Sequence, residues 1–306
     1  MADTNTENRV GVIGASSLVG KCLLPLLTQS GLRVSAFSRS PDQHRSSIDV
    51  SWHQLPMDEN VLQKTTVQKA EAQANEPDTE YWICIAPIWV LPDYFEFLEK
   101  QGARRVVVLS STSRFSKNDS SYVEEQAMAA RMTNAEARLS AWAEPLGISW
   151  VILRPTLIYG LGQDKNITEI ARFIRRFGFF PLFGKANGLR QPIHALDVAI
   201  ACQAALIATG AANQAYNISG GETLTYRQMV TRIFNALGGG SRFLNLPLWT
   251  FQLALILLRL LPRYRHWSAA MAERMNRDLV FDHTDANRDL GFQPRAFLLE
   301  STDLPA

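Results

Sequence analysis

Arg9-Val10-Gly11-Val12-Ile13-Gly14-Ala15-Ser16-Ser17-Leu18-Val19-Gly20 is the stretch on which the fold turns. Its first five residues form a short, mostly apolar run of the kind that builds a buried strand. The run ends directly in glycine. Leu18, Val19, Cys22, Leu23, Leu26 and Leu27 then recur along one side of a helix that closes at Ser30-Gly31, and Leu32 to Phe37 reads as a second strand. Strand, glycine-bearing loop, helix and strand within about 30 residues form the unit that cradles a dinucleotide pyrophosphate. Gly14 permits the tight turn and Gly20 a close packing of helix on sheet, while the helix N-terminus offers free N–H groups and its positive dipole end. Gly14, Ser16, Ser17, Leu18 and Val19 are the expected contacts. Ser17 stands where the middle glycine is expected. Its side chain narrows the approach, yet its hydroxyl can donate to a phosphate oxygen. An ordinary strand-turn-helix without ligand is the competing reading. Pro25 falls inside the helix, where it removes a hydrogen bond.

The end of the second strand selects between the two dinucleotides. A site for NAD places an acid there, on the ribose hydroxyls. This chain has Ser38-Arg39-Ser40, with no acid before Asp42. A hydroxyl beside a guanidinium suits a 2′-phosphate, because arginine offers fixed, charge-assisted donors. NADP(H) is therefore expected over NAD(H), with Ser38 and Arg39 as the discriminating contacts. The alternative for Arg39 is an exposed loop side chain without a ligand.

The bulk numbers suit this reading. A chain of 306 residues with 46% hydrophobic and 20% charged residues can bury a sizeable core without staples. A net charge of +2 points to no nucleic-acid partner. Cys22, Cys84 and Cys202 are odd in number, widely spaced and without metal-ligand spacing, so they are expected as reduced core thiols. No metal site is expected, and Met1 to Asn8 is polar rather than signal-like. A cytoplasmic protein follows from these signs.

Further segments line up in order: Tyr81 to Pro87 and Arg105 to Leu109 as strands, the latter ending in Ser110-Ser111-Thr112-Ser113. Trp150 to Leu153 then runs into Arg154-Pro155-Thr156-Leu157-Ile158-Tyr159-Gly160, followed by Arg190 to Asp197 and Leu290 to Arg295. Together they resemble the extended short-chain dehydrogenase/reductase family, the NAD-dependent epimerases and dehydratases that act mainly on nucleotide sugars. The resemblance runs from about Val10 to Phe297. It implies an α/β fold, a Rossmann-like doubly wound parallel sheet with a smaller C-terminal substrate-binding lobe. Residues 9–160 would be mainly the NADP(H)-binding core, and 161–306 mainly the lobe, interleaved with returning core elements. It also implies that Thr112 hydrogen-bonds the reacting oxygen and that Ala86, Pro87 and Pro155 adjoin the cofactor. Arg190 would pair with a nucleoside diphosphate, with Arg154 and Asn166 as further substrate contacts. The alternative for Arg190 is a structural salt bridge with Asp197, and His194 is expected to hold a loop.

One part of the family pattern is missing. Its YxxxK dyad passes a proton through the tyrosine, while the lysine lowers the tyrosine pKa and holds the nicotinamide ribose. Glu136 resembles the glutamate that follows the lysine, which puts Met132 at the lysine position and Met128 at the tyrosine position. Neither can exchange a proton. Tyr122 is the nearby phenol, with Lys117 or Arg131 as a supporting charge, and the Glu124-Glu125 pair and Tyr159 are further proton sources. The chain thus reads as an oxidoreductase or an epimerase/dehydratase-like enzyme acting on a nucleotide sugar or related carbohydrate. The other reading is a catalytically inert NADP(H)-binding scaffold or sensor.

In the second half, Asn166 to Phe177 has amphipathic helical spacing and Tyr226 to Leu237 that of another helix. Residues 246–267 hold an apolar stretch from Pro247 to Leu261 with a basic, aromatic rim at Arg259, Arg263, Arg265, His266 and Trp267. The stretch is shorter than the roughly 20 residues that span a bilayer. A buried helix roofing the pocket and an interfacial helix in peripheral membrane contact both fit it. Gln63 to Thr79 reads as a solvated crossover helix after a short strand at Ser51 to Leu55. By analogy with the family, a homodimer is expected.

Overall fold

The computed structural model describes residues 9–41, 44, 46–55, 79–120, 122–247 and 269–305. Seven strands form its main sheet: β1 Arg9–Ile13, β2 Arg33–Ser38, β3 Val50–Gln54, β4 Tyr81–Cys84, β5 Arg105–Leu109, β6 Ser149–Pro155 and β7 Gln214–Ile218. Their order across the sheet is β3-β2-β1-β4-β5-β6-β7, and every pairing is parallel. Chain order reverses between β1 and β4, and ligands of open α/β sheets bind in the crevice at the carboxyl ends there.

Parallel strands need crossovers, which cover both faces and leave the strands apolar on both sides. Val10 and Val12 of β1 point to one face, where Leu23 and Leu27 of helix Leu18–Gln29 meet Val198 and Cys202 of helix Ala195–Ile207. Ile13, Trp82, Val106 and Val108 point to the other, against Leu98 of helix Phe95–Lys100 and Met132 and Leu139 of helix Val123–Ala143. The sheet is doubly wound. Helix Leu18–Gln29 continues through Pro25, whose carbonyl accepts the Thr28 hydroxyl at 3.1 Å.

A third core belongs to the lobe. It joins Ile170, Phe173 and Ile174 of helix Ile167–Phe177, strand Phe180–Phe183, and Met229, Ile233 and Phe234 of helix Tyr226–Ala236. Thr225 and Gln228 close the capping box of that last helix. The chain leaves the sheet after β6, builds part of the lobe, and returns with helix Ala195–Ile207 and β7. Three two-stranded sheets tie the lobe together, one pairing Phe180–Phe183 with Phe243–Leu246. Leu244 and Leu246 are thus strand residues. The helix expected from Pro247 onward, with its choice between burial and membrane contact, falls in 248–268, outside the described residues. The crossover helix expected in 63–79 is likewise outside them up to residue 78. No described helix is long and apolar enough to cross a membrane.

Candidate functional site

The glycine loop is pinned from both sides. Gly14 has φ +85°, and a Cβ there would sit 2.6 Å from the Ala86 backbone nitrogen. Both the Gly14 and Ala15 N–H groups donate to the Phe37 carbonyl at the end of β2, at 3.1 and 3.2 Å. Gly20 has a different reason from the expected packing on the sheet: a Cβ there would lie 2.0 Å from the carbonyl oxygen of Ala15. It lets the helix close on its own loop. Ser17 is the helix N-cap, its Oγ accepting the Gly20 N–H at 3.2 Å. The N–H groups of Leu18 and Val19 lie in the first turn, where no intrahelical acceptor reaches.

Ser17, Leu18 and Val19 line a cavity of about 530 Å³ that also takes in Ala86, Pro87 and Pro155. Seven of the expected cofactor contacts therefore divide: six meet in this cavity, and Gly14 shapes the loop beneath it. The other three gather at the end of β2. The Ser38 hydroxyl donates to Ser16 Oγ at 3.1 Å and accepts the Ser40 N–H at 3.2 Å. Arg39 is exposed beside them, its carbonyl held by Gln54 Nε2 at 2.9 Å.

A second cavity of about 460 Å³ adjoins the first, and Ser111, Ser113, Lys117 and Ile158 line both. Thr112 is buried on its wall, but its hydroxyl donates to the Pro155 carbonyl at 3.1 Å, as does its N–H. Its proton is committed to stapling β5 to β6. Ser111 accepts the Ser113 N–H at 3.0 Å and keeps its own proton, so its hydroxyl, like that of Ser113, can donate at the junction. The unbroken hydroxyl row 110–113 was the signal for it, although spacing could not say which hydroxyl would face inward.

Met128 and Met132 line the first cavity, where the helix would carry the phenol and amine of a dyad. Tyr122 caps that helix and lines neither cavity, so the structure does not bring it to Thr112 or Ser111. Burial and the carboxylates of Glu273 and Glu125 push its pKa up. Lys117 reaches the site instead, with Nζ 3.1 Å from Met128 Sδ. Burial holds its pKa below the ordinary lysine value, with Glu125 opposing and Arg274 adding to the shift.

Arg190 is 4% exposed and lines the second cavity. Its guanidinium donates to the carbonyls of Leu189 at 2.6 Å, Arg277 at 2.8 Å and Arg274, over the ring of Tyr226. Asp197, its expected alternative partner, is taken by Arg295 at 2.9 Å. Burial lowers the Arg190 pKa to about 10, which leaves it charged at neutral pH. Arg274 and Lys117 share the cavity, and no carboxylate is among its lining residues. Asn166 lines it too; the capping role at helix Ile167–Phe177 belongs to Asp164, whose carboxylate takes the Thr168 N–H at 3.2 Å.

Arg154, expected at the substrate, is occupied elsewhere. Its Nε and Nη2 grip Glu136 at 3.1 and 2.6 Å, and neither cavity includes it. Glu136, 5% exposed, also receives Arg114 and the Ser110 hydroxyl, the latter at 2.5 Å. This buried clamp holds the serine row from behind. His194 holds a loop: its Nδ1 accepts the Leu196 N–H at 3.0 Å, so Nε2 carries the proton toward Asp303, 3.1 Å away. No group of metal-binding side chains occurs among the described residues.

Residues 93–219 match the family model described as the NAD dependent epimerase/dehydratase family. The chain is 23% identical over 250 residues to an alpha-subcomplex subunit 9 of mitochondrial NADH dehydrogenase from Arabidopsis thaliana, covering 77% of this chain and 60% of that protein. A UDP-glucose 4-epimerase from Thermotoga maritima, solved with UDP-glucose, superposes with a TM-score of 0.65 at 16% identity, covering 94% of this chain and 93% of that one. A dTDP-glucose 4,6-dehydratase from Bacillus anthracis, solved with NAD, gives 0.64 at 13% identity, over 94% and 91%. At these identities the solved structures show the fold. The chain spans 37%, 60% and 54% of the length of three curated relatives it matches.

Proposed function

We propose that the chain, matched over residues 93–219 by the NAD dependent epimerase/dehydratase family, is a member of it that binds NADP(H) in the first cavity and a nucleoside-diphosphate sugar in the second, and exchanges hydride between them. The observation that carries this reading is the continuity of the two cavities through Ser111, Ser113 and Lys117. The first ends at a helix N-terminus whose N–H groups suit a pyrophosphate. The second is lined by Lys117, Arg190 and Arg274; Glu125 pairs with Arg274 from outside that lining, and the remaining positive charge suits a diphosphate. Gly14 keeps the loop tight enough for backbone to meet phosphate, so the residues fit the dinucleotide. When bound, the nicotinamide supplies hydride donation and acceptance. The chain itself would hold the pyrophosphate at Ser17 to Val19 and the 2′-phosphate at Ser38 and Arg39. Ser111 would donate to the reacting oxygen, with Thr112 fixing the strand ends that position it.

Fluorescence titration with NADPH and NADH tests the reading. NADPH should bind more tightly, and Arg39→Ala should weaken NADPH by roughly tenfold or more, the worth of one charge-assisted hydrogen bond, while leaving NADH unchanged. Equal affinity for both cofactors, insensitive to Arg39, would sink the NADP(H) assignment. UDP-glucose should bind the loaded protein and lose affinity in Asn166→Ala.

A second reading has its own observation. Met128 and Met132 line the first cavity with groups that cannot move a proton, and one relative is named as a subunit of mitochondrial NADH dehydrogenase. A redox-inert NADP(H)-binding scaffold would bind dinucleotide tightly and exchange no label between reduced cofactor and any sugar nucleotide.

A further inference from the structure

The loss of the tyrosine–lysine pair leaves a cavity that is intact except for its proton source, and the loop after β5 places one amine inside it. We propose that Lys117, entering from the loop after β5 rather than from helix Val123–Ala143, is the proton-exchanging group of this site. The inference rests on the dinucleotide and nucleotide-sugar reading above.

Three observations carry it. Lys117 is one of four residues that line both cavities, and the other three are Ser111, Ser113 and Ile158. It is therefore the titratable side chain that meets a cofactor on one side and a substrate on the other. Its Nζ lies 3.1 Å from the sulfur of Met128, the residue in the tyrosine position, so the amine is beside the place the missing phenol would occupy. Thioether sulfur is a weak acceptor, and no carboxylate is hydrogen-bonded to the ammonium in the structure's described contacts. A direct ion pair would raise the cost of losing that proton, and the contact shown for the ammonium is to sulfur.

The surrounding charges set its acidity. Glu125, on helix Val123–Ala143, favours the ammonium, but its carboxylate is also held by Arg274 and by the Ser120 hydroxyl at 2.8 Å. Arg274 on the lobe side disfavours the charge, and burial disfavours it further. Lysine shifts its pKa readily when desolvated, which is how it serves as an acid or base.

The step balances. In the reducing direction a carbonyl oxygen takes the proton of the Lys117 ammonium as its carbon takes the hydride, leaving a neutral amine and an alcohol. Lys117 regains its proton from solvent, and Ser111 donates a hydrogen bond to the same oxygen throughout. In the oxidising direction the neutral amine removes the alcohol proton.

The test needs no known substrate. Trace acetylation of the intact protein across a pH series, read peptide by peptide, reports when each lysine loses its proton. Lys117 should become reactive at lower pH than exposed Lys185, and NADPH should protect it. Lys117 titrating together with Lys185 overturns the assignment, whatever the cofactor does. Protection absent from a protein that binds NADPH overturns it too, whereas no NADPH binding at all strikes the dinucleotide reading instead. For turnover of a nucleotide sugar, Lys117→Met and Lys117→Arg should each lower kcat by roughly 10²-fold or more, the size of a general acid–base contribution. Arginine should keep KM near that of the parent, because it retains charge but not a transferable proton. Full activity in Lys117→Arg would show that the residue only balances charge.

Discussion

Ser17 shows how one side chain can break a pattern and still serve its purpose. As N-cap it satisfies the Gly20 N–H, a donor that glycine in its place would leave open. Ser17→Ala should lower stability by about 1 kcal/mol and Ser17→Gly by only a few tenths, measured as the shift in urea midpoint at constant m-value. If the two variants are equally destabilised, the cap is not what the serine contributes. The cofactor prediction for Arg39 belongs to this scale as well. The sequence displayed both residues openly, because a loop directly after a strand inherits its position from the strand. Ser111 was less legible: choosing among adjacent hydroxyls requires knowing that Thr112 turns its proton to Pro155.

At the scale of elements, helix Val123–Ala143 does two jobs from one stripe. Met128 and Met132 present apolar surface to the first cavity, and Glu136, one turn further, reaches under the serine row. A buried carboxylate with two guanidiniums is costly to break from one side, because a charge is then left without its partner. Glu136→Ala should destabilise by about 3–5 kcal/mol, seen as a lowered unfolding midpoint, whereas an exposed control such as Glu124→Ala should change little. A small effect at Glu136 would mean that Arg114 and Arg154 find water or other acceptors. The sequence placed Glu136 correctly on the helix, but assigned Arg154 to the substrate. Strand alternation gives the face of a residue, not the partner waiting there, and that partner comes from a different crossover.

At the scale of the molecule, the C-terminal segment straps the lobe to the core. Asp303 accepts the Leu161 N–H at 3.3 Å and the Glu300 N–H at 3.1 Å, besides facing His194. The strapped loop continues to Gln163, Asp164 and Lys165 on the first cavity, and Lys21 of the first helix donates to Gln163 at 2.5 Å. Burial works to raise the Asp303 pKa, but the His194 contact and the two backbone donors outweigh it and hold the carboxyl below its usual value. A group depressed in the folded state adds stability above its unfolded pKa, roughly 4, and loses it as pH falls through the folded value. Asp303→Asn should therefore cost stability at neutral pH and flatten the acid side of the stability–pH curve. An unchanged acid limb would place that sensitivity elsewhere. Dinucleotide binding should stabilise the whole unit: at a hundredfold excess over Kd the linkage is about 2.7 kcal/mol, measurable as a rise in Tm.

What the sequence determined by itself was local. Strand-loop-helix order, the glycine turn, the Ser38-Arg39 pair at the end of β2 and the methionines at positions 128 and 132 are all written in neighbouring residues, where period and spacing act directly. The tertiary structure decided what depends on residues far apart in the chain. It turned Thr112 from donor to staple, took Arg154 from the substrate to Glu136, and gave the Arg190 guanidinium backbone carbonyls as its hydrogen-bond partners. It also brought Lys117 to the junction of two cavities. A side chain's partner is set by which crossovers pack together, and that packing is a property of the closed sheet and lobe rather than of any stretch of sequence.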